Sequence, residues 1–311
     1  MKSLVLLTVV AMAMSLSAQT SDTLSIKSGE VNLHAVLSQP TINEDKCMAL
    51  IIAGSGPTDL NGNQPGLQNN SLLYLSQALV ENNVATLRFD KRGIAQSAYT
   101  GFDESELRIE DFADDVNTLL SYCKDNGYKK IYVIGHSEGS LIGLLAVQKT
   151  NVSGFVSLCG AGNPADVVIK NQLHPKLPPA MYEQTESIID SLKQGDRVNN
   201  VPPQFFALFR PSVQNYLISW FKYSPAELMT KLSCPALVVQ GEKDLQVGES
   251  EALRLAKATS QGQVELIENM NHVLKTISGD IQENMASYRN PELPVNKELI
   301  AKVVEFINER R

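Results

Sequence analysis

The chain has 311 residues, 43% of them hydrophobic and 20% charged, which suits one large folded domain or two modest ones and excludes a disordered chain. Its 34 acidic and 27 basic side chains leave a net charge of -7, which argues against a nucleic-acid partner or an anionic membrane surface, because phosphate binding needs clustered Lys and Arg. The 4 cysteines are too few for a disulfide scaffold.

In chain order, residues 1–18 read as a secretory signal. Lys2 gives the positive start, residues 4–16 are apolar apart from Thr8 and Ser15, and small Ser17 and Ala18 follow. Cleavage is expected after Ala18, with Leu16 larger than the rule prefers, and the mature protein is expected to be exported, periplasmic or extracellular. Beyond this segment no apolar run approaches the roughly 18 residues of a membrane span. Residues 24–27 and 31–37 alternate in polarity around Gly29, as a hairpin does. Short apolar runs at 48–53, 131–134, 155–158 and 236–239, with less pure ones at 84–89 and 264–267, suit parallel strands covered on both faces. Helical periodicity fills 71–81 and 109–122, a third helix is expected over 138–149, and a fourth at 297–309 closes the chain. Strand and helix in regular succession imply an α/β fold built on a mostly parallel, doubly wound sheet.

The regularity breaks at 161–231, far longer than one crossover helix needs. This stretch is rich in proline and holds Trp220 with Phe205, Phe206, Phe209, Tyr216, Phe221 and Tyr223. It is expected to be a mainly helical insertion over one end of the sheet, the core being 19–160 and 232–311. Cys47, Cys159 and Cys234 lie in or beside expected strands and Cys123 near a helix end, so all four are expected to be buried small hydrophobes. Their spacing is not that of a metal site, and no cofactor or metal is expected.

Gly135-His136-Ser137-Glu138-Gly139 matches G-x-S-x-G between an apolar strand and an amphipathic helix, the setting of a nucleophile elbow. A tight strained turn there lifts the Ser137 hydroxyl above the sheet edge and aims the Glu138 N–H at a developing oxyanion. A serine needs a base, and the base needs an orienting acid. Of four histidines, His34 belongs to the hairpin, His136 points away from Ser137 on the elbow and His174 lies in the insertion, which leaves His272 as the base. The acid is expected between Ser137 and His272, just past a strand. Asp244 fits best by its place after Gly241, with Glu242 as the alternative. The second oxyanion donor is expected in Gly54-Ser55-Gly56-Pro57: the N–H of Ser55 first, that of Gly56 second, Pro57 having none. Asp59-Leu60-Asn61-Gly62-Asn63 superficially looks like a calcium loop, but Gln64 and Asn70 stand where glycine and glutamate are required. It is expected to be a hydrogen-bonded loop bracing the oxyanion strand.

The order Ser137, Asp244, His272 with this elbow resembles the α/β-hydrolase superfamily over nearly all of the mature chain. Residues 89–97 look like its D-x-R-G-x-G-x-S segment, with Ala95 in place of the second glycine. The Gly54-Ser55-Gly56-Pro57 loop is similar to that of exported bacterial esterases, and the whole to serine aminopeptidase-like hydrolases. The resemblance implies an α/β-hydrolase fold with a helical cap in the place of 161–231, and two-step acyl transfer without a cofactor. It also implies a small-molecule ester substrate. Two competing readings remain: a peptidase on the same residues, with Glu138, Glu183 or Glu186 anchoring a free amine, and a binding module without catalysis.

Overall fold

The computed structural model describes residues 19–310; the expected signal at 1–18 lies outside the described residues. Continuous apolar runs become central strands because both faces of a parallel sheet are covered. Strands β3 (Cys47–Ile52), β4 (Ala85–Phe89), β6 (Gly154–Leu158) and β7 (Ala236–Gly241) are buried at every position, and β5 (Lys130–His136) at all but its first. The sheet has eight strands in the order β1-β2-β4-β3-β5-β6-β7-β8, where β1 is Thr20–Ser28, β2 is Val31–Gln39 and β8 is Gly262–Ile267. The β1–β2 hairpin joins β4 antiparallel, and every other pairing is parallel.

Helices cover both faces. On one side α2 (Ile109–Asp125) and α3 (Glu138–Val147) pack with Leu50, Leu87 and Val133; on the other, α1 (Ser71–Glu81) and α11 (Lys297–Asn308) pack with Ala49, Ile51 and Ile134. Between β6 and β7 the chain forms α4 (Ala165–Leu173), α5 (Pro179–Gln194), the short α6 (Phe206–Phe209), α7 (Gln214–Trp220) and α8 (Pro225–Met229). Residues of this segment make a small core of their own around Ile189, Phe205, Phe209 and Phe221. The C-terminal part adds α9 (Glu249–Lys257) and α10 (Ile281–Ser287). All four cysteines are buried, and none is in a disulfide among the described residues. No described helix is long and apolar enough to cross a membrane.

The segment after β4 ties the hairpin to the sheet. Asp90 accepts the Leu60 N–H at 2.8 Å and lies 3.0 Å from His34 Nδ1, while Arg92 forks onto buried Asp115 of α2 at 2.6 and 2.7 Å. Ala95, which stands where the resemblance leads one to expect glycine, takes the left-handed φ of 44°. The loop at Asp59 is braced internally: its carboxylate accepts the N–H groups of Asn61 and Asn63 at 2.8 and 2.9 Å, which supports the hydrogen-bonded reading.

Candidate active site

The turn between β5 and α3 is strained where the sequence pattern requires it. Ser137 has φ 54° and ψ -121°, a conformation few residues with a Cβ adopt. Its N–H is held by Leu158 O of β6 at 2.8 Å. The flanking glycines are needed for space. A Cβ on Gly135 would sit 2.3 Å from Gly139 O, and one on Gly139 would sit 2.4 Å from Ile52 O. Strand, turn and helix can therefore approach closely enough to raise Ser137 to the rim, where it lines a cavity of ≈ 570 Å³ with Ser55, Gly56 and Glu138.

His272 lies in the loop after β8 and is buried. Its Nδ1 is 2.7 Å from Asp244 Oδ2. The other side of Asp244 is fixed as well: Oδ1 accepts the N–H groups of Gln246 and Val247 at 2.7 and 2.9 Å, and Oδ2 also accepts from Gln240 Nε2 at 3.0 Å. Burial alone would raise this carboxyl, but His272 beside it and the backbone donors hold it below its ordinary value, so it stays ionised. Glu242, the alternative acid, is exposed. His272 comes to the elbow through His136: the His136 Nε2–H donates to His272 O at 2.7 Å, and the two rings lie 5.0 Å apart. Ser137 Oγ makes no hydrogen bond to the imidazole among the described residues; in enzymes without substrate, hydrogen bonds between catalytic groups are often long. His34 pairs with Asp90, and His174 packs on Tyr182, so neither competes for the role of base.

The Gly54-Ser55-Gly56-Pro57 loop, where the second oxyanion donor is expected, follows β3. Gly54 approaches the elbow so closely that a Cβ there would lie 3.2 Å from Ser137 Cβ. The Ser55 carbonyl accepts from Thr58 Oγ1 at 2.6 Å and from Gln64 Nε2 at 3.1 Å, and the Gly54 carbonyl accepts from Lys91 Nζ at 2.6 Å.

A family profile described as "Serine aminopeptidase, S33" matches residues 68–276, which span the elbow, Asp244 and His272. The chain belongs to this family. Among curated proteins it is 23% identical over 266 residues to Esterase EstD of Thermotoga maritima, covering 83% of this chain and 61% of that protein. It thus spans about six-tenths of the length of that relative. Among solved structures, Est1E of Butyrivibrio proteoclasticus with ferulic acid bound superposes with a TM-score of 0.60 at 18% identity, over 92% of this chain and 98% of that one. Proline iminopeptidase of Mycobacterium smegmatis gives 0.61 at 14% identity, over 93% and 98%. At these identities the likeness establishes the α/β-hydrolase fold alone.

Three features of this family member were not read from its sequence. Cys159 Sγ, an Asp244 oxygen and a His272 nitrogen lie within 4.8 Å of one another. Burial first and the neighbouring carboxylate second push the Cys159 thiol well up, so it remains an S–H donor toward Asp244. Second, α10 braces both loops: Asn284 Nδ2 donates to Lys243 O at 2.7 Å, and its Oδ1 accepts from Asn271 Nδ2 at 2.9 Å, next to His272. Third, the side chain of Glu138 is buried between Lys91 (3.1 Å) and Tyr216 (2.6 Å).

His136 carries a stability prediction. Burial, then the adjacent His272, lower its pKa from 6.5 to about 4, so it folds neutral. The unfolded chain then binds the extra proton between these values, and stability is full above pH 6.5 and declines as the pH falls toward 4. Urea unfolding should lose about 2–3 kcal/mol between pH 6.5 and 4.5 from this group. His136→Gln, which keeps an N–H donor, should lose correspondingly less; equal acid sensitivity in both proteins would contradict the assignment.

Proposed function

We propose that the protein is a serine hydrolase that cleaves carboxylic esters of small to medium acyl groups. The observation that carries the reading is the His272–Asp244 pair at 2.7 Å, anchored through His136 beside a strained serine that opens into an apolar cavity. In this reading Ser137 attacks the carbonyl while His272 takes its proton, and Asp244 holds the imidazole tautomer and stabilises the imidazolium. The Ser55 and Glu138 amides stabilise the tetrahedral oxyanion, each worth about 3 kcal/mol. His272 then protonates the leaving alcohol, and water releases the acid. Helices α4–α8 act as a cap whose Phe209, Leu217 and Trp220, with Phe112 and Leu141 of the core, line the cavity and exclude water.

The peptidase reading needs a free carboxylate for the substrate amine. Glu138 is neutralised by Lys91 and hydrogen-bonded to Tyr216, and Glu104, the other acid at the cavity, is clamped by Arg210 and Ser212. Glu183 is exposed and Glu186 pairs with Lys170; neither lines the cavity. Together with the 23% identical relative Esterase EstD, this favours esters. The test is a nitrophenyl ester panel measured against aminoacyl anilides. Ester turnover should exceed anilide turnover by at least about 100-fold, because an ammonium left without a partner in the cavity costs about 3 kcal/mol; faster anilide cleavage would overturn the ester assignment. A fluorophosphonate should label Ser137, and a folded protein that resists it is a binding module.

A further inference from the structure

The buried ion pair Lys91–Glu138 stands between two groups the proposed chemistry needs, and the inference below rests on that chemistry. Both side chains are essentially sealed, at 1% and 2% exposure. A buried ion pair contributes little stability over an apolar pair of the same shape. What this pair touches gives it a role beyond stability.

Lys91 Nζ donates to Gly54 O at 2.6 Å and to Glu138 Oε2 at 3.1 Å, and it lies 5.0 Å above the Phe112 ring. The Gly54 carbonyl and the Ser55 N–H belong to one trans peptide plane, so they point in opposite directions. An ammonium on the oxygen fixes the direction of the N–H. Amide resonance makes that N–H a stronger donor as charge is drawn toward the oxygen. The other partner of Lys91 is the side chain of Glu138, whose own backbone N–H is the second oxyanion donor. The remaining Glu138 oxygen accepts the Tyr216 hydroxyl of α7 at 2.6 Å. Burial first and the carboxylate second keep that phenol protonated, as donation requires. The neighbouring Ser55–Gly56 peptide has only the neutral donors Thr58 and Gln64 on its carbonyl.

We propose that Lys91 is a positioning residue for the oxyanion hole, orienting and polarising the Gly54–Ser55 peptide, and that Tyr216 couples the helices between β6 and β7 to both oxyanion donors through Glu138. These residues act through the two amides and touch no reacting atom themselves.

The test compares wild type with Lys91→Met and Tyr216→Phe, using nitrophenyl ester kinetics normalised to sites titrated by fluorophosphonate burst. For Lys91→Met, kcat per titrated site should fall about 10- to 100-fold with KM within about threefold, the signature of stabilisation made only in the transition state. Tyr216→Phe should fall about 3- to 10-fold in the same pattern. Affinity for a boronic acid, which forms the tetrahedral adduct, should drop in step with kcat, while affinity for the product carboxylic acid stays. A merely structural role would lower the titrated fraction and leave these ratios unmoved. Should Lys91→Met not fold, Lys91→Met/Glu138→Gln, which leaves no unpaired buried charge, is measured in its place. Unchanged kcat per site in an active wild-type background overturns the proposal alone; a wild type that neither hydrolyses esters nor is labelled at Ser137 overturns the functional reading and this proposal with it.

Discussion

Replacing Ser137 by alanine should reduce ester turnover by about 10⁵–10⁶, to a residual rate set by binding and the oxyanion donors alone. In the proposed function the hydroxyl is the nucleophile, offered to a carbonyl lying against both the Ser55 and Glu138 amides. The substitution is clean because the constraint at this position is backbone geometry. Alanine meets the φ of 54° with the same Cβ as serine, the N–H bond to Leu158 O is kept, and Gly135 and Gly139 still provide the close approach. The unfolding free energy should therefore stay within about 0.5 kcal/mol of wild type, and fluorophosphonate labelling should vanish. Ser55→Ala is the informative contrast. In the proposed function Ser55 contributes only a backbone N–H, which alanine retains, so turnover should stay within a few-fold. A large loss for Ser55→Ala together with a small loss for Ser137→Ala would move the nucleophile to the oxyanion loop and end the present assignment.

The central strands and the helices that cover them were legible because their signals are local. The apolar runs at 48–53 and 155–158 name β3 and β6 within a residue, and 71–81 coincides with α1. The outer elements were blurred for a physical reason. The start of β1, residues 20–23, is solvent-exposed and carries no apolar period, β8 is only half buried, and α10 exposes Ile281 and Met285 while its buried positions are the polar Asn284 and Ser287. The elbow could be read because its requirement for two glycines is written within five adjacent residues. Lys91 and Tyr216 could not: they meet Glu138 across 47 and 78 positions, and nothing near either in sequence marks the partner. Cys159 looked like one more small hydrophobe at a strand end, and only the convergence of β6 and β7 brings it to Asp244.

Asp244→Asn should lower kcat by about 10⁴ with little change in KM or fold. The reason lies in which atoms Asp244 presents to which donors. Oδ1 accepts two backbone N–H groups, from Gln246 and Val247, and an amide nitrogen there would face two donors. The substituted asparagine would therefore keep its oxygen on that side and turn its NH₂ toward His272 Nδ1. The imidazole would respond by accepting at Nδ1 and carrying its proton on Nε2, the tautomer that cannot take a proton from Ser137. The same NH₂ would meet Gln240 Nε2, now donor against donor, which adds about 1–3 kcal/mol of instability unless the Gln240 amide flips. Two outcomes separate this account from simple loss of charge. Glu242→Gln removes a carboxylate from the same loop but from an exposed side chain, and its kcat should stay within about twofold. In Asp244→Asn, raising the pH should recover activity as hydroxide takes over the role of the base, whereas the wild type should show no such recovery. If Asp244→Asn keeps more than a tenth of wild-type kcat, His272 does not depend on it for its tautomer, and the acid of this site must be sought elsewhere.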